Sequence, residues 1–267
     1  MADAPFLQAQ NVYKVFIARG GQARLALRNV DLTVTRGEFL CLIGPSGCGK
    51  STVLNMFAGL VAPSDGVIRH DGRMIVDVNT QVGYVTQDDN LLPWRTVLAN
   101  VELALECKGV APDERRSRAV DYLTRVGLRG YEGLYPHELS GGMRKRVSIV
   151  RTLVDDSVDV ILMDEPFGPL DAQTRLILQD ELLRLWQGTG RTIVFVTHDL
   201  VEAIALSDRI AIFTSVPGAI KDVREVNLPR PRDVFHIHET PGFSEIYDRI
   251  WNDLREEILK TRADNAA

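Results

Sequence analysis

"GPSGCGKST", Gly44 to Thr52, sets Gly44, Gly47 and Gly49 at a spacing that lets a backbone curl until its N–H groups point inward. An inward ring of N–H groups holds phosphate oxygens, and a helix opening directly after it adds its positive end. Lys50 is placed to reach the β- and γ-phosphates, Ser51 to put its hydroxyl on Mg²⁺, and Thr52 to add a hydroxyl at the α-phosphate. Pro45, Ser46 and Cys48 complete the cradle. Cys48 reads as filler rather than a nucleophile, and its thiol is expected to make the protein sensitive to alkylation, with bound ATP protecting it.

A metal–phosphate site needs a carboxylate from a neighbouring strand. "VILMDE" supplies it: Asp164 to hold Mg²⁺ and Glu165 to orient and deprotonate an attacking water. Two acids at a strand end are often just solvent-facing, but beside a phosphate cradle they are what hydrolysis requires. A second phosphate-gripping stretch follows in "LSGGMRKR", Leu139 to Arg146. Ser140 as N-cap, with Gly141 and Gly142, would present another helix N-terminus with free N–H groups. The first cradle leaves the far side of the γ-phosphate open, and the two stretches belong to different helices. One copy is therefore not expected to close on itself. Arg144, Lys145 and Arg146 crowd the first turns of this helix, where the helix dipole disfavours positive charge. A docked anion would offset that penalty; a solvated basic stripe is the alternative for at least two of the three.

These residues need rigid elements. "LQAQNVYKVFIA" and "ARLALRNVDLTV" alternate apolar and polar residues around "RGGQ", as a hairpin does. "EFLCLIG" runs into the glycine loop, and Val53, Leu54, Phe57 and Ala58 mark one face of the helix after it, stopped by Gly59. The apolar runs "VGYVT", "VDVILM", "TIVFVT" and "RIAIFT" suit central parallel strands covered on both faces. From about Leu91 to Val154 the periodicity is helical, which predicts a helical insertion between two strands of a phosphate-binding α/β core. Phe243, Ile246, Ile250, Leu254 and Ile258 predict a C-terminal helix docked on the body. His236 and His238, in "FHIHE", would share a face of a strand, with no third ligand to complete a metal site.

In this order the motifs resemble the ATP-binding subunits of ABC transporters. "NVYKVF" is similar to the aromatic loop, which implies that Phe16 stacks on adenine, with Tyr13 as a competitor. "GPSGCGKST" resembles Walker A and "ILMDEP" Walker B. "YVTQ" resembles the Q-loop, implying that Gln87 contacts Mg²⁺ and the attacking water. "LSGGM" resembles the signature, "GPLD" the D-loop with Asp171, and "THD" the switch loop with His198. By themselves Asp171 reads equally as a helix N-cap, Gln87 as a polar strand end and His198 as a solvated loop residue. Met143 stands where the family most often has Gln, and Pro169 where Ala or Ser is usual.

The resemblance implies an α/β fold: a P-loop NTPase, RecA-like core with an N-terminal antiparallel β subdomain and an inserted helical subdomain. It implies one nucleotide-binding domain, with the β subdomain and core in 1–90 and 156–230, the helical subdomain in 91–155 and a helical tail in 231–267. The cofactors implied are ATP and Mg²⁺. The partners implied are a second copy, joined head to tail so that each signature completes the other's P-loop, and separate transmembrane permease subunits. Through the permease, a periplasmic or surface solute-binding protein is implied. "DDNLLPWRTVLANV" resembles the permease-contacting segment, with Leu91, Leu92 and Trp94 expected to be exposed; ordinary packing is the rival for the two leucines. That segment and "LPRPRD" resemble the importer group for nitrate, taurine and aliphatic sulfonates, which implies uptake of a small anion.

Composition agrees with this placement. A chain of 267 residues can bury a full core as one large domain or two small ones. A net charge of −5 argues against a protein that coats nucleic acid. No apolar run approaches the roughly 18 residues that span a bilayer. "MADAPFLQAQ" lacks the features of a signal peptide, and Cys41, Cys48 and Cys107 form no paired framework. The expected location is the cytoplasmic face of the cell membrane.

Overall fold

The computed structural model describes residues 5–18 and 20–266, side chains 261–266 excepted. Two sheets organise it. In the first, β1 (Leu7–Ile17) pairs antiparallel with β2 (Ala23–Val34) on one side and β4 (Asp65–His70) on the other, with β5 (Arg73–Met74) at the edge. The second contains β3 (Phe39–Ile43), β6 (Val82–Val85), β7 (Val160–Asp164), β8 (Thr192–Val196), β9 (Arg209–Phe213) and β10 (Ile220–Glu225). Its order is β10-β9-β3-β8-β7-β6, parallel except for β10, which returns antiparallel beside β9.

Four of the apolar runs, in β3, β7, β8 and β9, form central strands because both of their faces are covered, whereas "VGYVT", expected with them, is β6 at the sheet edge and half-buried apart from Val85. Phe39, Cys41 and Ile43 of β3 point to one core, together with Ile161, Met163, Ile193 and Phe195. Leu40 and Leu42 point to the other, with Val160, Leu162, Val194 and Val196. The helices α5 (Ala172–Trp186), α6 (Leu200–Leu206) and α7 (Phe243–Ala266) cover the first core. The first sheet and α1 (Lys50–Phe57) cover the second.

A third core belongs to α2 (Val97–Cys107), α3 (Pro112–Arg125) and α4 (Gly141–Leu153), built on Val97, Val101, Leu105, Ala119, Leu123, Val147 and Val150. Helix α4 also turns Ile149 and Leu153 towards the sheet, so it ties this unit to the body. Residues 91–96 precede the first of these helices as a loop. The buried Asn100 shapes it: its amide donates to the carbonyls of Leu92, Arg95 and Thr96 and its oxygen accepts from Leu92 N at 2.8 Å. Of the three apolar residues expected on the outside here, only Trp94 is exposed, at 71%. Leu91 packs against the helical core and Leu92 is half-buried.

His236 and His238 do not lie on a strand. The side chain of Asp233 accepts from Phe235 N at 2.9 Å and His236 N at 3.3 Å, which bends the chain into a short 3₁₀ turn, Ile237–Glu239. His236 then pairs with Asp233, which raises its pKa, and His238 meets the ring of Phe243 edge-on. Among the described residues no helix is long and apolar enough to cross a membrane.

Candidate active site

Parallel strands bring their C-terminal ends to one edge of a sheet, and ligands of such sheets gather there. The loop after β3 carries Gly44 to Gly49, and α1 opens at Lys50. Gly47 and Gly49 have φ of 76° and 103°, which a side chain would resist. A Cβ on Gly49 would also lie 2.4 Å from Leu27 Cδ2. The loop therefore curls tightly against the first sheet. Lys50 is buried, and its ammonium donates to the carbonyls of Gly44 at 2.9 Å and Pro45 at 3.0 Å. Ser46, Gly47 and Ser51 stay exposed and Thr52 is half-buried. Cys48 corrects an expectation: it is fully buried, and burial pushes its thiol up despite the ammonium of Lys50. A buried, protonated thiol is a poor target for alkylation with or without a nucleotide.

Asp164 ends β7 two positions along the sheet. Its Oδ1 accepts from Ser51 Oγ at 2.9 Å. Burial raises the Asp164 carboxyl, and the Ser51 hydroxyl pulls the other way. A hydroxyl and a carboxylate at this distance, exposed on one side, form a donor set suited to a hard cation. Tyr84, on β6, also hydrogen-bonds Asp164, and burial together with that carboxylate raises its phenol. Its role was not readable from "VGYVT", because the register that sets Tyr84 beside Leu162 is not written locally.

Glu165, the next residue, has φ of 44°, an uncommon conformation for a side-chain-bearing residue and one that clusters at functional sites. That turn brings its Oε2 3.2 Å from Nδ1 of His198, which follows β8. Gln87, which follows β6, arrives at the same space. A methyl built on Gly168 would lie 3.6 Å from Gln87 Nε2 and 3.9 Å from Glu165 Oε2. Behind His198 the buried Glu202 accepts from Gln179 Nε2 at 2.8 Å, and burial pushes its carboxyl up to about 7. Nothing in the sequence singled it out.

Ser140, Gly141 and Gly142 lie elsewhere. Ser140 is exposed and caps α4, its Oγ accepting from Met143 N at 3.3 Å. A Cβ on Gly142 would fall 2.7 Å from Thr174 Cγ2, and one on Gly141 3.8 Å from Leu170 Cδ2. The cap thus sits beside the 169–171 loop and the start of α5. Asp171 caps α5 through Thr174 N at 3.0 Å, and that bond holds its carboxyl below its usual range. Phe16 is 43% exposed near the end of β1, with Lys14 Nζ 5.1 Å from its ring centre, whereas Tyr13 is half-buried.

The basic trio of α4 is paired with acidic side chains rather than a solvated stripe. Arg144 and Lys145 pair with Asp89, at 3.3 and 3.0 Å, and Arg146 pairs with Glu181 at 2.9 Å. Neighbouring carboxylates thus offset part of the cost of placing these cations near a helix N-terminus.

The family model described as ABC transporter matches residues 27–168. An uncharacterised ABC transporter ATP-binding protein of Methanocaldococcus jannaschii is 46% identical over 255 residues, which cover 96% of this chain and 93% of that protein. The taurine import ATP-binding protein TauB of Pelagibacter ubique is 39% identical, covering 95% of this chain and 97% of that one. The nitrate import ATP-binding protein NrtC of Synechococcus elongatus is 44% identical over 94% of this chain, but the match spans only 38% of that longer protein. Among solved structures, the dimer of the ATP-binding cassette MJ0796 in a post-hydrolysis state bound to ADP and Pi superposes with a TM-score of 0.73 at 34% identity. That likeness covers 83% of this chain and 99% of the other.

Proposed function

The chain belongs to the ABC transporter family, and from that premise we propose that it is the ATP-hydrolysing subunit of an importer. In this reading it dimerises head to tail around two MgATP and drives a separate membrane permease from the cytoplasmic face. The observation that carries the reading is the convergence of two pairs at one sheet edge: Ser51 with Asp164, and Glu165 with His198. The exposed Ser140 cap, built on a different helix beside its own 169–171 loop, supports completion of the site by a second copy.

Each residue has a task in that site. In the cradle, Gly44, Ser46, Gly47, Cys48 and Gly49 offer main-chain N–H groups to the phosphates, Pro45 shapes the curl without a donor of its own, and Lys50 supplies a cation with Thr52 beside it. Phe16 stacks on the adenine. Ser51 and Asp164, with Gln87 near, would hold Mg²⁺, which would supply positive charge to the phosphates. Glu165 takes the proton from the attacking water, and His198 fixes the orientation of that carboxylate. Ser140, Gly141 and Gly142 close over the nucleotide of the partner copy, with Asp171 at the junction between copies.

The solute class follows from kinship alone. The relatives named above act, by name, on taurine and nitrate, and another, 41% identical, is named for bicarbonate. All three are small and carry a negatively charged group, which supports a small anion. In this reading the solute itself is read by a periplasmic or surface binding protein that feeds the permease.

Replacing Glu165 by Gln tests the reading. The variant is expected to bind ATP as the wild type does, to lose turnover by at least about a hundredfold, and to run as a dimer on a sizing column when MgATP is present. Turnover close to wild type would remove Glu165 as the base.

A further inference from the structure

Lys145, Arg144 and Arg151 all project from α4 onto one stretch of chain, residues 86–90, which follows β6 and includes Gln87. Lys145 is only 2% exposed. Its ammonium has three N–H donors, and three oxygens meet them: Gln87 O at 2.8 Å, Asp89 Oδ1 at 3.0 Å and Thr86 O at 3.3 Å. Arg144 bonds Asp89 Oδ2 at 3.3 Å through Nε, while its Nη1 donates to Leu139 O at 2.6 Å, just before the Ser140 cap. Arg151 donates to Asn90 O at 2.8 Å. Within the stretch, Thr86 Oγ1 bonds Asp88 O and Asn90 Nδ2 bonds Thr86 Oγ1, so those links are internal and anchor it to nothing. Among the described residues, its outward side-chain hydrogen bonds and ion pairs run to the cations of α4.

A buried lysine in the second turn of a helix carries two penalties, desolvation and the helix dipole. Only a full set of acceptors offsets both, and here every acceptor comes from the Gln87 stretch. The two elements so joined serve different nucleotides in the head-to-tail arrangement: Gln87 the one in its own P-loop, the α4 cap the one held by the partner.

We propose that Lys145 is a positioning residue that couples the two nucleotide sites of the dimer. By gripping the main chain of Gln87, it makes any shift of the α4 N-terminus, as the partner's nucleotide docks there, a shift of Gln87 as well. The proposal rests on the head-to-tail reading. Coupling of this kind is reciprocal in binding, so each site feels the occupancy of the other.

The test is Lys145→Met in the full chain, which keeps length and helix preference and deletes the three bonds. Nucleotide affinity is measured on dilute protein, and hydrolysis against ATP concentration on concentrated protein. The variant is expected to keep its affinity within about twofold, to lose at least about tenfold in kcat, and to show a Hill coefficient that falls from above one to one. Wild-type kcat and Hill coefficient in the variant would overturn the coupling role. So would a parallel loss of affinity in the dilute protein, which marks general damage to the fold. A Hill coefficient of one in the wild type would instead overturn the two-copy reading beneath it. Should Lys145→Met fail to fold, Lys145→Leu, which removes the same three bonds with a different apolar shape, is judged by the same outcomes.

Discussion

At the scale of single residues, the site combines groups that the sequence names with groups that only packing reveals. Glu202 is one of the latter. Its carboxyl lies between Gln179 and the Thr197 side chain, and burial lifts it from an ordinary 4.5 to about 7. Between those values the folded chain holds a proton that the unfolded chain has released. Stability is therefore lost as pH rises through this window, by a cost on the order of 3 kcal/mol once both forms are ionised. Glu202→Gln, which cannot ionise, should match the wild type in melting temperature near pH 5 and exceed it by several degrees near pH 8. A difference that stays constant with pH in calorimetry would contradict this account of Glu202. The glycine cradle and the Asp164–Glu165 pair were legible because their chemistry is local. Lys145 was not: a lysine between two arginines on a helix reads the same whether water or Asp89 receives it.

At the scale of elements, two kinds of strand were legible: those covered on both faces, whose runs are apolar, and the β1–β2 hairpin, whose apolar and polar residues alternate. Strand β10, "IKDVRE", was not, because it is half-buried at a sheet edge and carries Lys221, Asp222 and Arg224. Lys221 reaches Glu256 at 2.6 Å and Arg224 reaches Asp253 at 3.1 Å, so these charges serve to dock α7 on the edge. The sequence pattern of α7 fixed its inner face but not what holds it there. The turn between β9 and β10 has a second task. Gly218 bonds Ala26 O and receives Arg28 N, each at 2.9 Å, and a Cβ on it would lie 1.8 Å from Cys48 O. This turn backs the phosphate cradle directly. Gly218→Ala should push on the cradle from behind, lowering ATP affinity and costing about 1–3 kcal/mol of stability, as overpacked sites do. Nucleotide titration and thermal unfolding check it, and unchanged ATP affinity would show that the turn is not the cradle's support.

At the scale of the whole molecule, the three cores divide the labour. The two cores of the central sheet hold the cradle, the carboxylates and His198, and the helical core holds the Ser140 cap. Helix α4 ties that unit to the body through the buried Ile149 and Leu153, with Tyr122 of α3 packed against the same core. The charge clamp at its N-terminal end grips the stretch carrying Gln87. Under the proposed head-to-tail reading, such a layout makes one chain a donor of two half-sites rather than owner of one whole site. The most direct test is turnover per chain along a dilution series, with the oligomeric state followed by sedimentation in the same MgATP buffer. Turnover should fall in step with the loss of dimer. A protein that sediments as a monomer and still hydrolyses ATP at the undiluted rate would contradict the account.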